Sequence, residues 1–333
     1  MTLSGTHPLT TRNISLDTIR AASAVVYDAA VRTPLVRLQV PDPRRQGLEI
    51  YLKLETLQPI GSFKIRGAYN AIRHLTPAQL AQGVWTVSAG NAAQGVALAA
   101  RMAGAACSVL VMDTAPATKL NAIERLGATI VKATYEECWR TVETHGSDRM
   151  QGLFVHPFDD DRFISGNGTI GLEIVEDLPD VEAVIAPLGG GGLLSGIGCV
   201  LHALRPDARV YAAEPETAAP LAVSLREGRA SRFDAWQSSF VDGAGGKSVL
   251  TTMWPLLQEW VAESLVVPLD EAALAMRLVA DRVHVIAEGA AACAVAAALS
   301  PAFAARGHRK VVAVVSGGNI DLARFARLAC ACE

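Results

Sequence analysis

Apolar and polar residues follow two different periods along most of the chain. Short, mostly apolar runs typical of buried strands are separated by longer segments in which apolar residues recur every three or four positions, as in helices. Predicted strands cover residues 49–55, 84–87, 107–112, 129–132, 154–155, 183–187, 209–213 and 310–315. Predicted helices cover residues 16–31, 91–103, 116–126, 135–144, 161–178, 193–204, 270–283, 288–299 and 321–329. This alternation predicts an α/β fold of mostly parallel sheets covered by helices, in two lobes of which the smaller lies near residues 80–153.

A further helical pattern begins near Ser62 and carries a lysine in its first turn. Ser62 is predicted to be the N-cap, and apolar residues at helical spacing follow as far as Leu75. The free N–H groups and the dipole at this end of a helix disfavour a cation, so Lys64 is poorly placed for stability. Lys64 is therefore either a solvated surface residue or a residue with a chemical role, and the motifs that follow favour the chemical role.

A loop of small and polar residues, Ser-Ala-Gly-Asn-Ala-Ala-Gln-Gly, occupies positions 88–95 directly after the strand predicted at 84–87. Ligands of parallel α/β sheets bind at the carboxyl ends of strands, and Asn91 and Gln94 offer polar side chains there. A simple helix-capping turn has a similar composition, so this loop alone leaves both interpretations open.

Four consecutive glycines, Gly189–Gly192, stand between the strand predicted at 183–187 and the helix that begins at Leu193. Glycine lowers stability through lost backbone entropy, and no packing role for the run is evident from the sequence. A concave loop of this kind allows backbone N–H groups to bind a phosphate at a helix N-terminus. The third glycine of a dinucleotide-binding fingerprint is missing from its required position, so a simple phosphate group is favoured.

Of two other glycine-containing motifs, only the first is a candidate for the same cleft. Ser316-Gly317-Gly318-Asn319 directly follows the apolar strand predicted at 310–315. Its hydroxyl would point into the same cleft, although for this motif alone a turn stabilised by a serine side chain is the favoured interpretation. Gly245-Gly246-Lys247-Ser248 resembles half of a P-loop, but Val241 stands where that motif requires glycine, so an ordinary loop is predicted.

Together with Lys53-Leu54-Glu55, these motifs occur in an order and at separations that resemble the serine/threonine dehydratase and serine racemase family. The resemblance covers the chain from about Thr33 onward. It implies the two-domain, tryptophan-synthase-β-like fold of fold type II pyridoxal-phosphate enzymes. A large domain would comprise residues 1–79 and 154–333, and a small inserted domain, residues 80–153, would close over the substrate. The resemblance also implies a homodimer or homotetramer.

The resemblance implies a role for each matched residue. Lys64 would form the Schiff base with pyridoxal 5'-phosphate and, once free, would take the proton from the substrate Cα. The cofactor would be bound by Phe63, Lys64, Asn91, Gly189, Gly190, Gly191, Gly192, Leu193, Gly243, Glu288 and Ser316. The substrate would be bound by Ser88, Ala89, Gly90, Asn91, Ala92 and Arg140, the last of which is equally well explained as a solvated helix residue.

Three departures from the family pattern limit what the resemblance implies. Ala89 stands where racemases have a serine, which disfavours racemisation. Ala92 stands where most members have histidine, which leaves room for a larger substrate side chain. Phenylserine is one such substrate, and the substrate of a hydroxyectoine-breakdown dehydratase is the alternative. Glu214 matches a metal-binding segment of the racemase branch, but Pro220 replaces its carboxylate, so a metal site there is expected to be weak or absent.

Composition and charge restrict the partners and the location. Apolar residues make up 50% of the 333 residues and charged ones 19%, as in a globular soluble protein. A net charge of −3 without a basic cluster argues against nucleic acid, and no apolar run is long enough to cross a membrane. Six scattered cysteines, and a polar N-terminus without a signal-peptide core, predict reduced thiols and a cytoplasmic protein.

The sequence therefore predicts a pyridoxal-phosphate-dependent ammonia-lyase. It would remove water from a 3-hydroxy amino acid, of the threonine or serine type or bulkier, to give a 2-oxo acid and ammonia. An amino-acid racemase and a β-replacement enzyme of the same fold are the alternatives. β-Replacement is disfavoured because Ile65-Arg66 follows the lysine where an Asp-Arg pair would be expected. A cofactor-binding protein without turnover is disfavoured because Lys64, Asn91 and Ser316 are all retained with the glycine loop.

Overall fold

The computed structural model describes residues 12–39 and 47–330. Over these residues the chain forms two β-sheets that are covered by helices. The strands are β1 Leu35–Arg37, β2 Glu49–Leu54, β3 Val84–Val87, β4 Cys107–Met112, β5 Thr129–Ala133, β6 Leu153–Phe154, β7 Ala183–Pro187, β8 Arg209–Pro215, β9 Glu263–Val267 and β10 Lys310–Val315. The helices are α1 Leu16–Ser23, α2 Lys64–Arg73, α3 Pro77–Leu80, α4 Asn91–Met102, α5 Ala117–Arg125, α6 Tyr135–Thr144, α7 Asp161–Asp177, α8 Gly192–Leu204, α9 Pro220–Glu227, α10 Trp254–Trp260, α11 Leu269–Val283, α12 Gly289–Leu299, α13 Pro301–Ala304 and α14 Leu322–Cys330. The localisation prediction rests in part on the polar N-terminus, residues 1–13, of which 1–11 lie outside the described residues, and one of the six cysteines, Cys332, lies outside them as well.

The larger sheet has the strand order β1-β2-β10-β7-β8-β9 and the smaller sheet the order β5-β4-β3-β6. All neighbouring strands are parallel except β1 and β2. The predicted parallel α/β architecture is therefore confirmed. The smaller sheet is built from residues 84–154, and strand β10 from near the end of the chain lies inside the larger sheet. The domain boundaries at 79/80 and 153/154 stay a prediction.

Helices cover the larger sheet through unusually close contacts between small residues. Helix α12 is mostly alanine, and its residues from Gly289 to Ala298 are buried against β7, β8 and β10. On the other face, helices α7 and α8 approach each other at Gly168 and Gly196. A Cβ at Gly196 would lie 2.7 Å from the backbone nitrogen of Gly168, so a side chain there would separate the two helices.

Five predicted elements, β3, β4, β7, β10 and α6, have the bounds that the sequence predicts. The helix predicted at 16–31 instead ends at Ser23 and is followed by a short 3₁₀ turn, Val26–Asp28. Strands β1 and β9 and helices α3, α9, α10 and α13 were not predicted, because most of them are short or lack a clear apolar period.

The prediction that Ser62 caps helix α2 is wrong. Helix α2 begins at Lys64, and its N-cap position is Phe63, whose side chain makes no capping hydrogen bond. Ser62 is buried and forms an isolated β-bridge with Gly317, the second residue after β10. The backbone N–H of Phe63 donates to the carbonyl of Ser316 over 3.0 Å. Long-range pairing with the end of β10, rather than a local cap, therefore fixes the approach to Lys64.

A buried network of charges holds helix α2 from the other side. Arg66 is fully buried and donates to both carboxylate oxygens of Glu55, over 2.7 and 2.8 Å, and to Glu173 over 2.6 Å. Lys53 lies 2.6 Å from the second oxygen of Glu173 and donates to the carbonyl of Thr33. Burial opposes the charge of Arg66, but the two carboxylates outweigh it and hold its pKa above the usual value. The network joins β2, α2 and α7 through two cations and two carboxylates.

We expect Arg66→Met to lower the free energy of unfolding by about 3–5 kcal/mol, because it leaves two buried carboxylates with one cation. Chemical denaturation followed by circular dichroism measures this. Arg32→Ala is the matched control, since Arg32 pairs with Glu176 at the surface and such pairs contribute about 0–1 kcal/mol. A loss below about 1 kcal/mol for Arg66→Met would contradict the role of the network.

Candidate active site

A cavity of about 360 Å³ is lined by loops that follow strands of both sheets. Such loops meet at the carboxyl ends of parallel strands, where open α/β sheets bind ligands. All the predicted site residues except Arg140 line this cavity: Phe63, Lys64, Ser88, Ala89, Gly90, Asn91, Ala92, Gly189, Gly190, Gly191, Gly192, Leu193, Gly243, Glu288 and Ser316. The structure therefore brings together motifs from distant parts of the chain: Asn91 and Asn319, for example, are 228 positions apart.

Lys64 faces the cavity and is otherwise enclosed by protein. Its Nζ donates to the carbonyl of Pro157 over 2.7 Å and lies 5.2 and 5.4 Å from the ring centroids of Phe63 and Phe163. Burial lowers the pKa of Lys64 to about 8, although the nearby carboxylate of Glu288 opposes this shift. Above about pH 8 the amine is therefore largely uncharged, as nucleophilic attack on a carbonyl requires.

The glycine loop lies at the N-terminus of helix α8, where the first backbone N–H groups have no acceptor within the helix. These groups and the helix dipole suit a phosphate. The glycines also have a packing role that the sequence did not reveal. A Cβ at Gly190 would lie 2.1 Å from the ring of Phe158, and one at Gly192 would lie 2.6 Å from its carbonyl oxygen. Gly191 has a φ of +94°, which strains other residues.

Asn91 is fixed by hydrogen bonds to two other motifs of the site. Its Nδ2 donates to Glu288 over 2.8 Å, and its Oδ1 accepts from Nδ2 of Asn319 over 2.8 Å. Asn319 in turn donates to the carbonyl of Ile60. Sequence reasoning assigned no role to Asn319, although it ends the Ser-Gly-Gly-Asn motif. The contact between Asn91 and the cofactor stays a prediction.

Glu288 is the second group of the cavity with a strongly shifted pKa. Burial raises the pKa of its carboxyl to about 7, and Asp242 adds to the shift, while the hydrogen bond from Asn91 opposes it. An acid of this kind exchanges protons near neutral pH. It lies close enough to the amine of Lys64 for the charge on one group to affect the other.

The predicted substrate residues fall into two groups. The loop at 88–92 lines the cavity at the N-terminus of helix α4, and Ser88 Oγ accepts from the N–H of Gly90 over 3.1 Å. Arg140, in contrast, is exposed on α6 and is not among the residues that line the cavity. The structure does not place Arg140 at the cavity, and its contact with a substrate carboxylate stays a prediction.

Two contacts that the sequence did not predict join helices α5 and α6, next to the smaller sheet, to the loop that contains Asp242 and Lys247. Lys119 on α5 forms an ion pair with Asp242, and both residues line the cavity. Lys247 lies over two rings, with Nζ 4.1 Å from the centroid of Tyr135 on α6 and 4.3 Å from that of Trp236. The glycines before Lys247 also line the cavity, so this segment contributes to the site although it is not a P-loop.

Side chains of the types that bind metals occur at two places outside the lining of the cavity: Glu214, and a cluster of two histidines and an aspartate. Both carboxylate oxygens of Glu214 already accept from the first backbone N–H groups of α9, those of Leu221 and Ala222, over 2.9 Å, and Ser264 donates as well. Within the described residues His145, His156 and Asp159 also lie close together. Both ring nitrogens of His156 are used by backbone groups, so this cluster is poorly suited to a cation.

The fold and the site define a class of enzyme. A buried lysine amine, a helix N-terminus suited to a phosphate and a hydroxyl at the end of β10 share one cavity in a two-sheet α/β fold. These groups fit a cofactor that carries an aldehyde and a phosphate, namely pyridoxal phosphate.

Over residues 12–39 and 47–330, no helix is both long and apolar enough to cross a membrane.

The family described as "Pyridoxal-phosphate dependent enzyme" matches residues 26–317, and the chain belongs to this family. The chain is 40% identical to the L-threonine ammonia-lyase of Thermotoga maritima over 321 residues, 95% of this chain and 78% of that protein. The structure of maize serine racemase has a TM-score of 0.86 and 32% identity, covering 94% of this chain and 96% of that one. Threonine deaminase isoform 2 from Solanum lycopersicum has a TM-score of 0.81 and 32% identity, covering 95% and 94%. The predicted family, fold type and cofactor are confirmed.

The shifted pKa of Lys64 predicts how reconstitution with the cofactor depends on pH. Only the neutral amine attacks an aldehyde, so the rate of pyridoxal phosphate attachment to the cofactor-free protein should rise with pH and level off above about 8. Stopped-flow absorbance measures this rate. Nα-acetyllysine, with the ordinary lysine pKa of 10.5, should show a rate that still rises beyond pH 9. A protein profile that follows the free amine would contradict the effect of burial.

Proposed function

We propose that the protein is a pyridoxal-phosphate-dependent ammonia-lyase that removes water from a 3-hydroxy amino acid, giving a 2-oxo acid and ammonia. The observation that carries this proposal is the position of Lys64 in one cavity with the loop at 88–92, Ser316 and the glycine loop. The threonine ammonia-lyase and threonine deaminase among the relatives support the same reaction class.

The residues of the cavity have complementary tasks in such a reaction. Pyridoxal phosphate, when bound, supplies an electron sink for negative charge that develops at Cα. The helix α8 N-terminus would hold its phosphate, and Ser316, unlike a carboxylate, does not enforce protonation of the ring nitrogen it would face. The amine of Lys64, with a pKa near 8, is suited to accept the proton from Cα. The N–H groups at the start of helix α4 are suited to bind the substrate carboxylate.

Elimination is favoured over racemisation by the residue at position 89. Inversion at Cα requires a base that removes the proton on one face and a donor that returns a proton on the other face. Ala89, which lines the cavity, has no group that could donate. Ala92 is also small and buried in the cavity wall. Its size supports a substrate with a bulky 3-substituent, of which phenylserine is the example that we propose.

Two further features belong to the proposal. Residues 80–153 are proposed to form the small domain that closes over the substrate, and the ion pair between Lys119 and Asp242 supports contact between the two parts in the closed form. A homodimer or homotetramer is proposed as the assembly, and cytoplasm as the location.

The function is tested by a substrate panel of threonine, serine, 3-hydroxyaspartate and phenylserine, with assays for ammonia and for 2-oxo acid. We expect equal amounts of both products from at least one member, and a rate at least about a hundredfold lower for Lys64→Ala. Lys310→Ala is the control, since Lys310 lies at the surface and pairs with Asp180. No release from any member, combined with racemisation or with incorporation of an added thiol, would contradict the proposal.

Ala89→Ser is expected to add racemisation to elimination. The new hydroxyl would supply a proton on the face that Ala89 leaves without a donor, and such a group contributes about 10²–10⁴-fold to a proton transfer. Chiral chromatography of unreacted substrate, with Gly90→Ala as a control for disturbance of the loop, measures the form inverted at Cα, which is the enantiomer for serine and a diastereomer for threonine or phenylserine. If Ala89→Ser forms no more of it than the unaltered protein, the explanation from position 89 is wrong.

A further inference from the structure

One wall of the cavity is formed by a single face of helix α6. Tyr135, Cys138, Trp139 and Val142 all line the cavity, and their spacing of i, i+3, i+4 and i+7 places them on one side of a helix. Met112, at the end of β4, lines the cavity as well. Neither the motifs nor the family resemblance assigned a role to these residues.

We call this surface the α6 wall; it consists of Tyr135, Cys138, Trp139, Val142 and Met112. Apart from the hydroxyl of Tyr135, its side chains are apolar or only weakly polar. Cys138 and Val142 are each only 7% exposed, and burial raises the pKa of the Cys138 thiol to about 11, so the thiol is uncharged. The indole Nε1 of Trp139 donates to Glu143 over 2.7 Å, which directs its polar atom along the helix rather than to a ligand.

The charged groups of the cavity are committed elsewhere. Among the described residues, the lysine, aspartate and glutamate side chains that line the cavity are Lys64, Lys119, Asp242 and Glu288. Lys119 is paired with Asp242, and Glu288 accepts from Asn91. A substrate with a second carboxylate would therefore find no free cation on the α6 wall, whereas an apolar group would lose no hydrogen bond there.

The α6 wall is also fixed in position. The ring of Tyr135 lies under the ammonium of Lys247, which is held in turn by the ring of Trp236. Val142 and Cys138 pack in the same core cluster as Leu193 of the glycine loop's helix. A rigid apolar surface of this kind selects ligands by shape and size.

The arrangement of the other walls determines which part of a substrate meets the α6 wall. The glycine loop and Ser316 belong to the proposed cofactor position, and the start of helix α4 belongs to the proposed carboxylate position. We propose that the α6 wall binds the 3-substituent of the substrate, that this substituent is an aromatic or similarly large apolar group, and that Cys138 and Trp139 determine the specificity. This inference rests on the proposed function, because it assumes an amino-acid substrate bound at Lys64.

Binding of amino acids that have no 3-hydroxyl group tests the inference without turnover. L-phenylalanine, L-alanine and L-aspartate are titrated into the cofactor-loaded protein, and dissociation constants are taken from the change in cofactor absorbance. We expect phenylalanine to bind at least about tenfold more tightly than alanine, and aspartate no more tightly than alanine. Equal binding of phenylalanine and alanine, or preferential binding of aspartate, would overturn the inference.

Two variants test which residues are responsible. Cys138→Phe fills the pocket and Trp139→Ala removes part of its wall, so each should lower the ratio of phenylalanine to alanine affinity by about tenfold while alanine binding stays within about threefold. Glu136→Gln, at an exposed position of the same helix, should leave the ratio unchanged. Thermal melts establish whether the variants are folded. If Cys138→Phe does not fold, the titrations of the unaltered protein and of Trp139→Ala still test whether the α6 wall binds an aromatic group.

The outcomes separate this inference from the proposed function. Release of ammonia from threonine together with equal binding of phenylalanine and alanine would leave the proposed function standing and overturn the α6 pocket. Preferential binding of phenylalanine without release of ammonia from any 3-hydroxy amino acid would support the pocket and contradict the proposed reaction. An unchanged affinity ratio in folded Cys138→Phe and Trp139→Ala would assign the selectivity to other residues and overturn the roles given to these two.

Discussion

The buried pairing of Arg66 with Glu55 and Glu173 is the constraint on which the site depends. Arg66 lies two residues after Lys64 on helix α2, so the carboxylates that hold it also set the position of the lysine. Burying four charges is costly, and a network of this kind is kept only with nearly complete pairing and hydrogen bonding. Lys53 and the hydroxyl of Thr33 provide further contacts. The start of α2 is therefore fixed by tertiary contacts rather than by helix capping.

Burial, which makes this network costly, also shifts the pKa values of two titratable groups in the cavity, Lys64 and Glu288. Exclusion from water lowers the pKa of Lys64 to about 8 and raises that of Glu288 to about 7. In both residues the neutral form becomes accessible near neutral pH. Asn91 and Asn319 connect the start of α4 with the loop after β10, so the loops of the two sheets share hydrogen bonds in the cavity wall.

The sequence predicted correctly those elements whose bounds depend on neighbouring residues in the chain. Strands β3, β4, β7 and β10 are buried apolar runs with clear ends, and their bounds are as predicted. The motifs that follow them line one cavity because parallel strands end at a common edge. Helix α6 was predicted with its bounds, yet its role in the cavity wall was not, because the face that it presents depends on the neighbouring loop of Lys247.

Features that depend on distant residues could not be predicted in this way. Ser62 has the residue type of a cap, but pairing with Gly317 controls its conformation. Arg66 and Glu173 are 107 positions apart, and neither residue alone indicates an ion pair. The glycine run suggested phosphate binding, whereas its need to pack against Phe158 becomes evident only in the structure.

Chemical trapping of the cofactor tests most directly whether this architecture selects one lysine. The cofactor-loaded protein is reduced with borohydride, digested and analysed by mass spectrometry for the lysine that carries the phosphopyridoxyl group. We predict modification of Lys64 and no comparable modification of Lys119 or Lys247, which lie in or beside the same cavity but pair with Asp242 or with aromatic rings. Attachment mainly at Lys119 or Lys247 would contradict the account.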